Sequence, residues 1–178
     1  NAIGSLALYS NTTGEYNTAL GYQSLQFNTT GSVNNAFGIS ALRSNMTGSD
    51  NNAIGDSALY FNTIGNSNTA LGREALYSNT SGSYNIGIGL RAGQTNTTGT
   101  STTILGSFAD VSLGNLSTST AIGAGAIVGC SNCLVLGGTG QNAVNVGIGT
   151  STPWAQLSIN PNNLSGPAFA IGSSTKTD

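Results

Sequence analysis

The stretch SNTTGEYNTALGYQSLQFNTTGSVNNAFG (Ser10–Gly38) contains one polar phrase, Asn-Thr-Thr-Gly, twice, and near copies continue along the chain. Gly4, Gly21, Gly38, Gly55, Gly72, Gly89, Gly106 and Gly123 recur at a spacing of 17. Each follows a large apolar residue: Ile3, Leu20, Phe37, Ile54, Leu71, Ile88, Leu105 and Ile122. Alanine usually comes before that, with Gly87 and Ile104 as exceptions. A second apolar column holds Leu8, Leu25, Leu42, Leu59 and Leu76. Asparagine fills a column through Asn11, Asn28, Asn45, Asn62, Asn79 and Asn96, and a second glycine column runs from Gly14 to Gly99.

A short fixed period means a solenoid. One unit has too few apolar side chains to bury a core alone. Stacked units lay each column on itself at about 4.8 Å, the strand spacing of a sheet. The expected fold is therefore all-β: a parallel β-solenoid of stacked 17-residue coils. The column of Ile3, Leu20 and Phe37 is expected to line the interior. Both glycine columns are expected to mark corners with positive φ. The asparagine column is expected at a turn, its amides bonded to backbone or to the asparagine one coil away. NTALG (Asn17–Gly21) reads as a short strand. GREALYSN (Gly72–Asn79) reads as a strand or extended arc, with a single helical turn as the alternative.

Residues 1–123 form the regular repeat. The step from Gly123 to Gly137 is 14, so 124–150 reads as end coils of shorter period. Residues 151–178, with Pro153 and the single tryptophan Trp154, read as a connector or the start of another fibre module. The chain opens on Asn1 inside a repeat and stops on Asp178 in mid-phrase, and an excised piece of a longer protein is expected.

Charged residues make up only 6% of the chain, against about a quarter in an ordinary soluble domain. With a net charge of −2 and no basic stripe, nucleic-acid binding has little electrostatic support. No apolar run reaches the roughly 20 residues that span a bilayer, so no membrane contact is expected of this segment. Apolar residues hold register over eight units, which disorder would not require.

Two phrases resemble known families. NTALGYQSLQFNTTG and, above all, TAIGAGAIVGCSNCLVLGGTG resemble the head repeats of trimeric autotransporter adhesins of the YadA-like kind, over Asn1–Gly149. NVGIGTSTPWAQLSI resembles short modules of long bacterial surface proteins and phage tail fibres, over Asn145–Asp178. The first resemblance implies a left-handed β-roll, three copies side by side, and a place outside the cell. It also implies adhesion to a host glycan or protein through an extended surface. A virion tail-fibre segment for receptor binding is the alternative. The period of 17 departs from the family's usual 14, which bears on coil shape.

Little in the chain suggests catalysis, and neither a catalytic residue nor a cofactor or metal site is expected. Histidine is absent, so triad chemistry has no base of that type. Lys176 is the only lysine, and no phosphate-binding loop precedes it. Asp56 and Glu74 fall in neighbouring columns on adjacent coils, so a glycan-cleaving pair is conceivable; two solvated loop acids are the plainer reading. Cys130 and Cys133 form one C-x-x-C, open to a plain structural role, a local disulfide or metal and redox work. Asn11, Asn28, Asn45, Asn79, Asn96, Asn115 and Asn163 match the glycosylation pattern Asn-x-Ser/Thr, though most come from the repeat and read as turn chemistry. Tyr9, Tyr60 and Tyr77 share one column and Tyr16 and Tyr84 another. They form either packing between coils or an aromatic contact surface for a glycan or protein.

Overall fold

The computed structural model describes residues 1–138 in full and, beyond them, the backbone of two strands. Pro153, Trp154, Asn163 and Lys176, and with them most of the expected connector, lie outside the described residues. The chain divides into a unit at Asn1–Asn142 and a unit at Ala143–Asp178.

The first unit is a parallel β-solenoid. Its main sheet stacks β1 (Ala2–Ile3), β2 (Thr18–Leu20), β3 (Asn35–Phe37), β4 (Asn52–Ile54), β5 (Thr69–Leu71), β6 (Ile86–Ile88), β7 (Thr103–Leu105), β9 (Thr120–Ile122) and β11 (Leu134–Leu136). Every neighbouring pair is parallel, and the register matches the sequence columns: Ala19 pairs with Ala36 and Leu20 with Phe37. The last step, Thr120 to Leu134, carries the shortened period. In the second unit, β12 (Val146–Ile148) pairs in parallel with β13 (Leu157–Ile159).

The interior differs from the expected one. Ala19, Ala36, Ala53 and Ala70 are buried, whereas Ile3, Leu20, Ile54 and Leu71 are exposed and Phe37 and Ile88 half-buried. In a three-residue strand the side chains alternate, and here the middle residue points inward. The facing space is already taken by Leu25, Leu42, Leu59 and Leu76, each with no exposed surface. The lumen is too thin for two large side chains. At Gly87, an added Cβ would lie 2.7 Å from Leu76 Cγ.

The segment opposite the sheet is neither strand nor helix. Residues 73–78 are a run of turns, and the same arc recurs in every regular coil. Gln23 and Leu25 have φ of 58° and 50°, and Ser40 with Leu42, Ser57 with Leu59 and Glu74 with Leu76 repeat the pattern. A non-glycine residue in this left-handed region costs about 1–2 kcal/mol. The backbone hydrogen bonds supply the compensation. Alternate amides close local turns (Ser24 to Gly21 O, Gln26 to Gln23 O, both 3.3 Å) or reach the next coil (Leu25 to Ala41 O, Phe27 to Arg43 O, both 3.0 Å). Each amide from Gln23 to Phe27 has a backbone acceptor.

The arc ends where its sequence changes. At Asp110–Val111 it becomes β8, which pairs in parallel with β10 (Ile127–Val128) to form a second, two-stranded sheet.

The two glycine columns serve different ends. Gly21, Gly38 and Gly55 have φ of 136°, 142° and 135°, the expected corners. Gly14, Gly31 and Gly48 do not have positive φ. They are glycine because the coils touch there: a Cβ on Gly31 would meet Asn28 Oδ1 at 2.6 Å and the carbonyl oxygen of Gly48 closer still.

Candidate interaction surfaces

The asparagine column is a buried ladder. Asn28 Nδ2 donates to Asn11 Oδ1 at 2.7 Å and to Gly31 O at 2.9 Å. Asn45, Asn62 and Asn79 repeat both bonds. Each amide thus spends both protons, one on the coil before and one on its own loop. Asn28, Asn45, Asn62, Asn79 and Asn96 have no exposed surface. Glycosylation at Asn28, Asn45, Asn79 or Asn96 would require opening the fold; Asn115 is exposed.

A second asparagine ladder was not singled out in the sequence. Asn17 Nδ2 donates to Gly31 O at 2.7 Å, and Asn17 Oδ1 accepts the Asn34 backbone N–H at 2.9 Å. Asn34, Asn51, Asn68 and Asn85 continue it. Its signal was present as the column Asn17, Asn34, Asn51, Asn68, Asn85. The first ladder stops at Asn96, because the position one coil on is Leu113, and Asn96 Oδ1 is buried without a partner.

The tyrosines do not form one surface. Tyr60 and Tyr77 stack with ring centroids 5.3 Å apart, and Phe61 meets both edge-on. Tyr9 lies in the same column but is separated from Tyr60 by Gln26 and Arg43, and it is exposed. Tyr16 and Tyr84 are exposed and four coils apart. The composite feature is Arg43, whose guanidinium lies 4.8 Å over the Phe27 ring and 5.5 Å from the Tyr60 ring.

Three of the acids are occupied. Glu74 receives Arg91 Nε at 2.6 Å and Arg73 Nη2 at 3.0 Å. The hydrogen bond from Arg91 is the main reason its carboxyl is held below the usual range. A general acid in a glycan-cleaving pair needs the opposite shift. Asp56 Oδ1 accepts the Ser57 hydroxyl at 2.8 Å. Asp110 accepts Thr95 N, Thr95 Oγ1 and Val111 N, yet burial raises its carboxyl above the usual range.

Cys130 and Cys133 are joined as a disulfide across the turn before β11. Among the described residues no cluster of three or more histidine, cysteine or acidic side chains could hold a metal. No helix among them is long and apolar enough to cross a membrane.

A further surface is the outer face of the nine-stranded sheet. Ile3, Leu20, Ile54, Leu71, Leu105, Ile122 and Leu136 form an exposed apolar column along it. Beside it, the corner adds Tyr22, Ile39 and Leu90. A search of protein-family models, curated proteins and solved structures finds no match to this chain.

Proposed function

We propose that the chain is a structural and adhesive segment of a long extracellular fibre, in which three copies lie side by side as left-handed β-rolls. One observation carries this reading: the apolar column on the outer sheet face. Leu20, Ile54, Leu71 and Leu105 are each more than 40% exposed. Stacked in register, they make a continuous apolar strip, which a lone soluble chain rarely leaves in water.

The occupant that fits is another copy of the chain. A parallel copy carries the same strip with the same repeat, so contact continues along the whole sheet. The strip holds no charge; Asp56 and Arg73 stand only in the corner column beside it. The number of copies and the hand of the coil rest on the adhesin resemblance. The Cys130–Cys133 disulfide supports an oxidising compartment outside the cell.

Light scattering on a size-exclusion column tests the assembly. A mass near three chains is expected, and a double Ile54→Lys, Leu71→Lys variant should run near one chain while keeping its β-sheet signal. A monomeric wild-type protein would overturn self-association.

A further inference from the structure

We infer that Arg43 is the anchor of a binding site for a glycan bearing a single carboxylate. The inference rests on the adhesive part of the proposed function and is independent of self-association. The arc and the sheet pack face to face across the alanines and leucines of the core. Their outer sides therefore point away from each other, and a ligand on the arc leaves the apolar strip free.

Three observations converge on Arg43. Among the described residues it is the only guanidinium without a carboxylate, since Arg73 and Arg91 both pair with Glu74. It is also held in place: Nε donates to Gln26 Oε1 at 3.1 Å and Nη1 to Tyr60 Oη at 2.9 Å. Two of its five N–H groups are spent, and both protons on Nη2 and one on Nη1 remain. Finally, its neighbours are aromatic: the Phe27 ring is 40% exposed, and the Tyr60 ring meets Phe61, itself 43% exposed.

These features select a ligand class. A fixed planar fork matches the two oxygens of a carboxylate. Fixing it beforehand lowers the entropy lost on binding. A single positive charge suits one carboxylate better than a phosphate dianion, and no second cation stands in the Arg43 column or the one beside it. The exposed parts of Phe27 and Phe61 offer apolar surface for the C–H groups of a sugar ring. An acidic peptide would supply the carboxylate but would leave that surface without a matched partner.

The test is titration of the isotopically labelled protein with sialyllactose, followed by NMR at the Arg43 Nε–H. Lactose, acetate and a blocked pentapeptide with one glutamate serve as parallel arms. Sialyllactose should shift the Arg43 resonance and lactose should not. Arg43→Gln should weaken binding at least about tenfold, the share of a charge-assisted hydrogen-bonded pair. Arg43→Lys should fall between, and Arg73→Gln should bind as wild type. If Arg43→Gln loses its fold, Tyr60→Phe provides the check, because it removes the Nη1 anchor and keeps the ring. Equal binding by Arg43→Gln would overturn the site while leaving the adhesive reading standing. Equal shifts from acetate or the peptide would overturn the glycan assignment. No response to sialyllactose would overturn the site, and a separate glycan array with the wild-type protein would then decide adhesion.

Discussion

Ile104 occupies space that Gly93 leaves open. Gly93 stands in the column that holds Leu25, Leu42, Leu59 and Leu76, and Ile104 in the column that otherwise holds alanine or glycine. A Cβ on Gly93 would lie 2.7 Å from Leu76 Cδ2 and 3.5 Å from Ile104 Cγ1. The large and small partners have changed sides in this coil, and the lumen keeps its volume.

That exchange predicts a coupled pair. Ile104→Ala should destabilise the solenoid by about 2–5 kcal/mol, as a buried cavity does. Gly93→Leu alone should cost about 1–3 kcal/mol from overpacking. The double variant rebuilds the pattern of the earlier coils, so its loss should be smaller than the sum. Gly93 has φ of 69°, near the 50–52° that the leucines of this column adopt. Denaturant unfolding of all four proteins measures the coupling.

Leu59→Asp should open several neighbouring coils. Leu59 is wholly buried in the core of the regular repeat, and an unpaired carboxylate there costs several kcal/mol. Hydrogen exchange should show lost protection across the coils of Leu42 and Leu76. An unchanged melting temperature would contradict the assignment of the arc leucines to the interior.

The asparagine ladder should be sensitive to position. Asn62→Ala leaves Asn45 Oδ1 without its donor and Asn79 Nδ2 without its acceptor. Each unsatisfied buried group costs about 1–3 kcal/mol. Asn96→Ala removes only the last member, whose Oδ1 already lacks a partner, and should cost less. Equal losses of melting temperature at the two positions would argue against a ladder.

Glu74 and Asp110 should respond to pH with opposite signs. The Arg91 hydrogen bond depresses Glu74, so its stabilising effect is present above the unfolded-state pKa and fades as pH falls through the lower folded value. Burial raises Asp110, so its effect is fully present below the unfolded value and is lost as pH rises through the higher folded one. Carboxyl-carbon NMR titration should place the Glu74 midpoint below the usual range and that of Asp110 above it. Asp110→Asn should abolish the second dependence.

Much of this molecule could be read before any coordinates. The columns Ala19–Ala36–Ala53 and Asn11–Asn28–Asn45 in the sequence are the registers of the sheet and the ladder. In a solenoid each residue is stacked on its own homologue, so spacing translates directly into contact. The ladder also needs no partner beyond itself. The Arg43 patch was less visible, because its members (Gln26, Phe27, Arg43, Tyr60) break the repeat, and only stacking brings them together.

Period and parallel stacking follow from the sequence alone, because the repeat leaves one way to keep its columns aligned; of the two glycine columns expected at corners with positive φ, only that of Gly21, Gly38 and Gly55 is one. Which column faces inward was settled only by the tertiary structure. Ile3, Leu20 and Leu71 are as apolar as Leu25 and Leu59, and either set could have filled a core. The lumen between sheet and arc has room for one large side chain per coil. The left-handed turns of the arc aim Leu25 and Leu59 into it, so alanine lies opposite and the strand leucines and isoleucines are left outside.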